Sequence, residues 1–149
     1  MIEPKNHLQI QILNAGAVVP EYKTLGAAGM DLSACLAENL LLPKGEVVLV
    51  PTGLAMAIPE GFEGQIRPRS GFSTKHKIIM PNSPGTIDSD YRGEILIPLL
   101  NLGGSDFLLE PGTRIAQMVI QSVVKFPIDV VKTLDSTKRG SGGFGSTGK

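Results

Sequence analysis

Tryptophan is absent from this chain and cysteine nearly so. Two tyrosines and five phenylalanines are its only aromatic residues. With Cys35 alone, no internal disulfide can form, which fits a reducing compartment and an expected cytoplasmic location. No run of about 18 apolar residues occurs, so no membrane-crossing helix and no membrane partner are expected. The opening MIEPKNHLQI lacks a charged-then-apolar leader pattern. Fourteen acidic residues balance fourteen basic ones, so no basic face is available for a long nucleic acid. Break-free stretches are scarce too, because eighteen glycines and eleven prolines fall at short intervals. Long helices are therefore largely excluded.

Between these breaks lie runs of β character. At 149 residues the chain is expected to be one domain with a core that needs no disulfide or metal. LQIQIL (8–13) alternates Leu8, Ile10 and Ile12 with glutamines, as a half-buried strand does. Further strands are expected at 46–51, 54–59, 64–69, 76–81, 93–100 and 106–111. TRIAQMVIQSVVKF (113–126) is the longest uninterrupted run. Its β-branched residues favour a strand buried on both faces over a helix. LAENLLL (36–42) can hold a short helical turn. Many short strands between Gly/Pro turns predict an all-β sandwich or barrel.

Composition changes near Ser136. From Lys138 onward there are three cations, no acid and one large apolar side chain, Phe144. The expected organisation is a folded body over 1–135 and a mobile arm over 136–149. Residues 143–149 fit G-x-x-x-x-G-K, but a phosphate-binding loop of that kind needs a strand before it and a helix after the lysine, so this match is not expected to act as one. The arm still suits an anion. Its glycines expose amide N–H groups, Ser146 and Thr147 offer hydroxyls, and Arg139 offers a planar fork. Phe144 can stack on a nucleobase.

Four polar islands interrupt the body. AAGMDLSA (27–34) sets Asp31 among small and apolar residues, and RPRSGFS (67–73) carries Arg67 and Arg69 beside a Ser-Gly turn. Surface ion pairing would account for both arginines equally well. NSPGTIDSDYRGEI (82–95) places Asp88 and Asp90 two apart, on one face if the segment is extended. A glycosidase pair is disfavoured without a cleft of aromatics. A metal pair, an acid/base pair and a solvated turn remain open for these aspartates. Gln117, inside RIAQMVI, is a polar interruption that needs partners. His7 and His76 lack a second ligand at metal spacing and read as surface residues, and Cys35 reads as core.

AAGMDLSA, PRSGFS, GTIDSDYRGE, RIAQMVI and RGSGGFGSTG occur in that order. Together they resemble the five ordered motifs of the trimeric dUTP diphosphatases, the dUTPases. PTGLAMAIP (51–59) and EPGTRIAQ (110–117) add to the likeness. The resemblance implies a jelly-roll-like β barrel and a homotrimer with active sites shared among subunits. The implied reaction is magnesium-assisted hydrolysis of dUTP to dUMP and pyrophosphate. Asp88 then corresponds to the residue that activates the attacking water. Asn82 and the backbone of Gly85, Thr86, Ile87 and Asp88 correspond to the uracil-reading hairpin, and Tyr91 to the ring under the deoxyribose. Arg69, Ser70, Gly71 and Gln117 correspond to phosphate contacts, and Leu96 to a backbone contact. Asp31 corresponds to the acid that holds magnesium through water. Arg139, Phe144, Gly145, Ser146 and Thr147 correspond to the arm that closes over the substrate. Phe72 stands where many relatives carry Leu. A dCTP deaminase-like enzyme and a non-catalytic nucleotide-binding protein on the same fold are the alternatives.

Overall fold

A computed structural model describes residues 7–145. Its strands are β1 (Gln9–Ile12), β2 (Met30–Ser33), β3 (Leu40–Leu42), β4 (Val47–Ala57), β5 (Phe62–Pro68), β6 (Ile78–Ile79), β7 (Gly85–Ile87), β8 (Glu94–Asn101), β9 (Phe107–Leu109) and β10 (Arg114–Ser122), with one helix, α1 (Ser70–His76). They form two four-stranded sheets, β1-β4-β8-β6 and β2-β10-β5-β7, and a two-stranded ribbon, β3-β9. Every ladder is antiparallel. Val50, Leu54, Ile95, Ile97 and Leu99 from the first sheet share one core with Leu32, Ile66 and Met118 from the second. Full burial of each such side chain stabilises the fold by about 1.5–3 kcal/mol. The expected all-β, jelly-roll-like sandwich is the fold observed.

The alternation in β8 is the clearest link from sequence to packing. Ile95, Ile97, Leu99 and Asn101 point inward, while Leu96 is exposed. Asn101 is tolerated inside because its amide donates to the carbonyls of Leu42 and Ser105, both at 2.9 Å, and its oxygen accepts from Gly103 N–H at 2.8 Å. β10 is a strand, as expected, flanked by β2 on one side and β5 on the other. It ends at Ser122, before the expected limit.

Other expectations need correction. The strands at 46–51 and 54–59 are one strand, β4, with a bulge between Pro51 and Ala55. Gly53 takes φ +68°, a conformation that strongly favours glycine. The disturbed ladder is completed by side chains: Thr52 Oγ1 donates to Ile95 O at 2.7 Å, and Glu94 Oε1 accepts from Gly53 N at 2.8 Å. LAENLLL forms no helical turn. Its last three residues pair with β9 as β3, since one short turn of helix makes too few bonds to hold itself. The Ser-Gly turn after Arg69 is instead the start of α1, and Met30–Ser33 is a strand rather than only a polar island. Ile12 lies exposed, while Leu8 and Ile10 pack on the core. His76 is half-buried between Phe72 and Phe107, with ring centroids at 5.2 and 4.7 Å, because α1 lays its last turn on β9. Cys35 is buried and free, and His7 is exposed, both as expected.

Candidate active site

The first cluster forms where β2, β10 and β5 run side by side. Gln117 lies opposite both Asp31 and Arg67, so three distant segments meet in one row. Arg69, just past the end of β5, donates from Nε to Asp31 Oδ1 at 2.8 Å. Arg114 donates to Asp31 Oδ2 at 3.1 Å, and Arg69 also reaches the Arg114 carbonyl at 3.2 Å. The Asp31 side chain is 22% exposed and that of Arg69 26%. This half-buried aspartate thus holds two guanidiniums, one on each oxygen. Arg67 instead donates to Gln65 at 2.8 Å. Gln117 Nε2 donates to Pro68 O at 2.9 Å, which fixes the turn into α1. Ser70 and Gly71 are exposed at the start of α1, where no side chain caps the helix and no acid lies in its first turn. Those first amides are free to meet an anion.

The hairpin forms a second cluster. β7 pairs with β5 through Gly85–Ile66, Thr86–Gln65 and Ile87–Gly64. Gly85 is buried, and a Cβ there would approach Asn82 Nδ2 to 3.2 Å. The strand ends at Ile87. Asp88 and Asp90 therefore do not share a strand face; Asp88 opens a turn closed by the Tyr91 N–H to Asp88 O bond at 3.1 Å. The turn still brings both aspartates to one cleft of about 930 Å³, together with Thr86, Ser89, Arg92 and, from outside the hairpin, Glu60, Glu63 and Lys125. Asp88 is exposed and free to approach a bound molecule. Tyr91 folds back so that its hydroxyl donates to Glu94 O at 3.0 Å.

Register separates the two clusters within one chain. Ile87 lies opposite Gly64, so Asp88 follows opposite Glu63, whereas Arg69 stands six residues further along the chain, just past the end of β5. At about 3.3 Å per residue that is roughly 20 Å, beyond what two side chains can bridge around one phosphate. Leu96 lies on the other sheet, with its side chain outward. In the arm, Arg139 Nε donates to Gly142 O at 2.9 Å and Phe144 is fully exposed beside Gly145. Ser146 and Thr147 lie outside the described residues. No cluster of three or more His, Cys, Asp or Glu side chains able to hold a metal occurs among the described residues.

Sequence reasoning missed Arg114 as a partner of Asp31. The two are 83 positions apart, and only the β2–β10 pairing signals their contact. It also gave no role to Gly93 or Glu94, which hold Tyr91.

Two packed antiparallel sheets with polar clusters at separated edges define a jelly-roll-like β protein whose candidate site residues are not gathered within one chain. Solved dUTPases share this architecture. The dUTPase of Staphylococcus bacteriophage 80alpha, described with dUpNHpp, superposes with a TM-score of 0.87 at 29% identity, over 97% of this chain and 99% of its own. A mutant dUTPase of the S. aureus phage phi11, described with a structural Mg(II) ion, gives 0.78 at 25% identity over 86% and 98%. Among curated relatives, the deoxyuridine 5'-triphosphate nucleotidohydrolase of Leptospira interrogans is 56% identical over 93% of this chain and 97% of its own length. That of Rickettsia bellii is 55% identical over 87% of each. The dUTPase family model matches residues 15–148, and the chain belongs to the dUTPase family.

Proposed function

We propose that this chain hydrolyses dUTP to dUMP and pyrophosphate, as a homotrimer with shared active sites. One observation carries the reading: the family match spans 15–148, and all five ordered motifs keep their polar residues. The organisation proposed is a body over 1–135 with the arm 136–149 closing on a neighbouring subunit's site. Two features support shared sites. Asp88 and Arg69 stand at opposite ends of the β5–β7 ladder, so one dUTP molecule meets both only when they come from different subunits. After the last strand, Val124, Phe126, Ile128 and Val130 alternate with the period of a strand yet lie exposed, an apolar row that needs a neighbour to cover it.

In this mechanism the hairpin of Asn82, Gly85, Thr86 and Ile87 reads the uracil edge with backbone polar groups, and Tyr91 packs beneath the deoxyribose. The Asp88 carboxylate accepts a hydrogen bond from a water and takes its proton as the oxygen attacks the α-phosphorus. The bond from that phosphorus to the bridging oxygen breaks, and pyrophosphate leaves. Arg69, Ser70, Gly71 and Gln117 of another subunit bind phosphate oxygens, with Leu96 giving a backbone contact. Arg139, Ser146 and Thr147 of a third close on the terminal phosphate while Phe144 covers the base, which excludes bulk water.

The residues present suit a magnesium ion carried mainly by substrate oxygens. A carboxylate offers about four acceptor sites, and the arginines use two of Asp31's, leaving two for metal-bound waters. Bound there, magnesium would neutralise charge developing on the phosphates. The lone buried Cys35 agrees with a cytoplasmic location.

The direct test is pyrophosphate release from dUTP with and without EDTA, alongside ammonia release from dCTP. Pyrophosphate release that EDTA suppresses, with no ammonia, is the expected result. Ammonia from dCTP would favour the deaminase, and neither product would favour a binding protein. Asp88→Asn should keep dUTP binding and lose about 10²–10⁴-fold in kcat; parental turnover would remove Asp88 as the base.

A further inference from the structure

Tyr91 is held by a seat that none of its proposed roles explains. A Cβ on Gly93 would come within 2.6 Å of Tyr91 Cζ and 3.0 Å of Cε2, and would press against the hydroxyl oxygen as well. Gly93 lies outside the left-handed region, and the three atoms nearest to an added Cβ all belong to the phenol of Tyr91, so alanine there presses first on that ring. The ring is pinned at its far end, where its hydroxyl donates to Glu94 O at 3.0 Å. That acceptor is itself fixed by the β4 bulge. The Glu94 carboxylate takes the Gly53 N–H at 2.8 Å, and the next carbonyl, of Ile95, takes the Thr52 hydroxyl at 2.7 Å. A bare glycine and an anchored carbonyl together determine how low this ring lies against the hairpin.

We infer that Gly93 and the Glu94 backbone are the specificity-determining seat of Tyr91. They set the height of the phenol, and so how completely the site refuses a ribose 2′-hydroxyl. The inference rests on the reading of Tyr91 beneath the deoxyribose. Gly93 and Glu94 are positioning residues that act through the ring and touch no reacting atom.

The test is kcat/KM for dUTP and for UTP in the parent and in Gly93→Ala, Tyr91→Ala and the double variant. Gly93→Ala should lower the dUTP-over-UTP ratio by about tenfold or more, the scale of one misplaced group in a binding pocket. In the Tyr91→Ala background the same change should do nothing further. An unchanged ratio in Gly93→Ala, or an equal fall in both backgrounds, overturns the inference. Should Tyr91→Ala alone leave the ratio intact, the placement of the ring under the sugar is wrong and the inference goes with it, while dUTP hydrolysis by the parent still stands. If Gly93→Ala does not fold, Tyr91→Phe serves, since it deletes the anchoring hydroxyl and leaves the backbone alone. A severalfold fall in the ratio is then expected, and no change would overturn the seat.

Discussion

If Asp88 and Arg69 serve one substrate from different subunits, two dead variants should revive each other. Asp88→Asn and Arg69→Ala are each expected to have little activity alone. Refolded together at equal amounts, they should form mixed trimers. A productive site then needs an intact Asp88 from an Arg69→Ala chain and an intact Arg69 from an Asp88→Asn neighbour. Each position is filled correctly half the time, so about one quarter of sites regain both groups. The premise is the β5–β7 register, which sets the two residues roughly 20 Å apart in a single chain. The assay is steady-state pyrophosphate release from the co-refolded mixture, compared with the two variants refolded separately and combined afterwards. Recovery near a quarter of parental turnover is expected only after co-refolding. Were both residues used from the same chain, no mixed trimer could hold an intact pair. Activity at the level of the separate variants, with mixed trimers verified by mass, would refute the reasoning.

Two further outcomes follow from the same geometry. Asp31→Asn replaces one acceptor oxygen with a donor that faces a guanidinium and leaves Arg69 and Arg114 unneutralised. Discounting for partial exposure, the loss should be about 1–2 kcal/mol, read as a drop of roughly 2–8 °C in Tm. Its binding of a non-hydrolysable dUTP analogue should weaken in EDTA as well as in magnesium; weakening in magnesium alone would mean that Asp31 does not orient the arginines. Truncation after Lys138 should leave the sheets intact by circular dichroism and lower turnover on the order of a hundredfold, since lost closure misplaces reacting groups. Unchanged kinetics would return the arm to the role of a tail.

The legible features were those that depend on near neighbours in the chain. GEILIPLL shows its strand through alternation, and β8 buries Ile95, Ile97 and Leu99 as that pattern requires. RIAQMVI reads as a doubly buried strand and lies between two partners. The misread segments were those whose state is set from a distance. PTG looks like a break, but the Thr52 hydroxyl and the Glu94 carboxylate let β4 run through it. LLL of β3 is too short to declare itself without β9. His76 looks like a surface residue until Phe72 and Phe107 close on it.

Turn chemistry and apolar period were enough, from the chain alone, to establish an all-β body, the order of its polar motifs and the residue types available for phosphate and base. Family likeness added the roles proposed for them. Tertiary structure alone decided that Asp31 gathers Arg69 and Arg114, that Asp88 opens a turn rather than sharing a strand face with Asp90, and that a single chain keeps Asp88 far from Arg69. The reason is physical. Period and turn preference act over a few residues, whereas strand pairing and register come from burying both sheets in one core, and register determines which distant side chains meet.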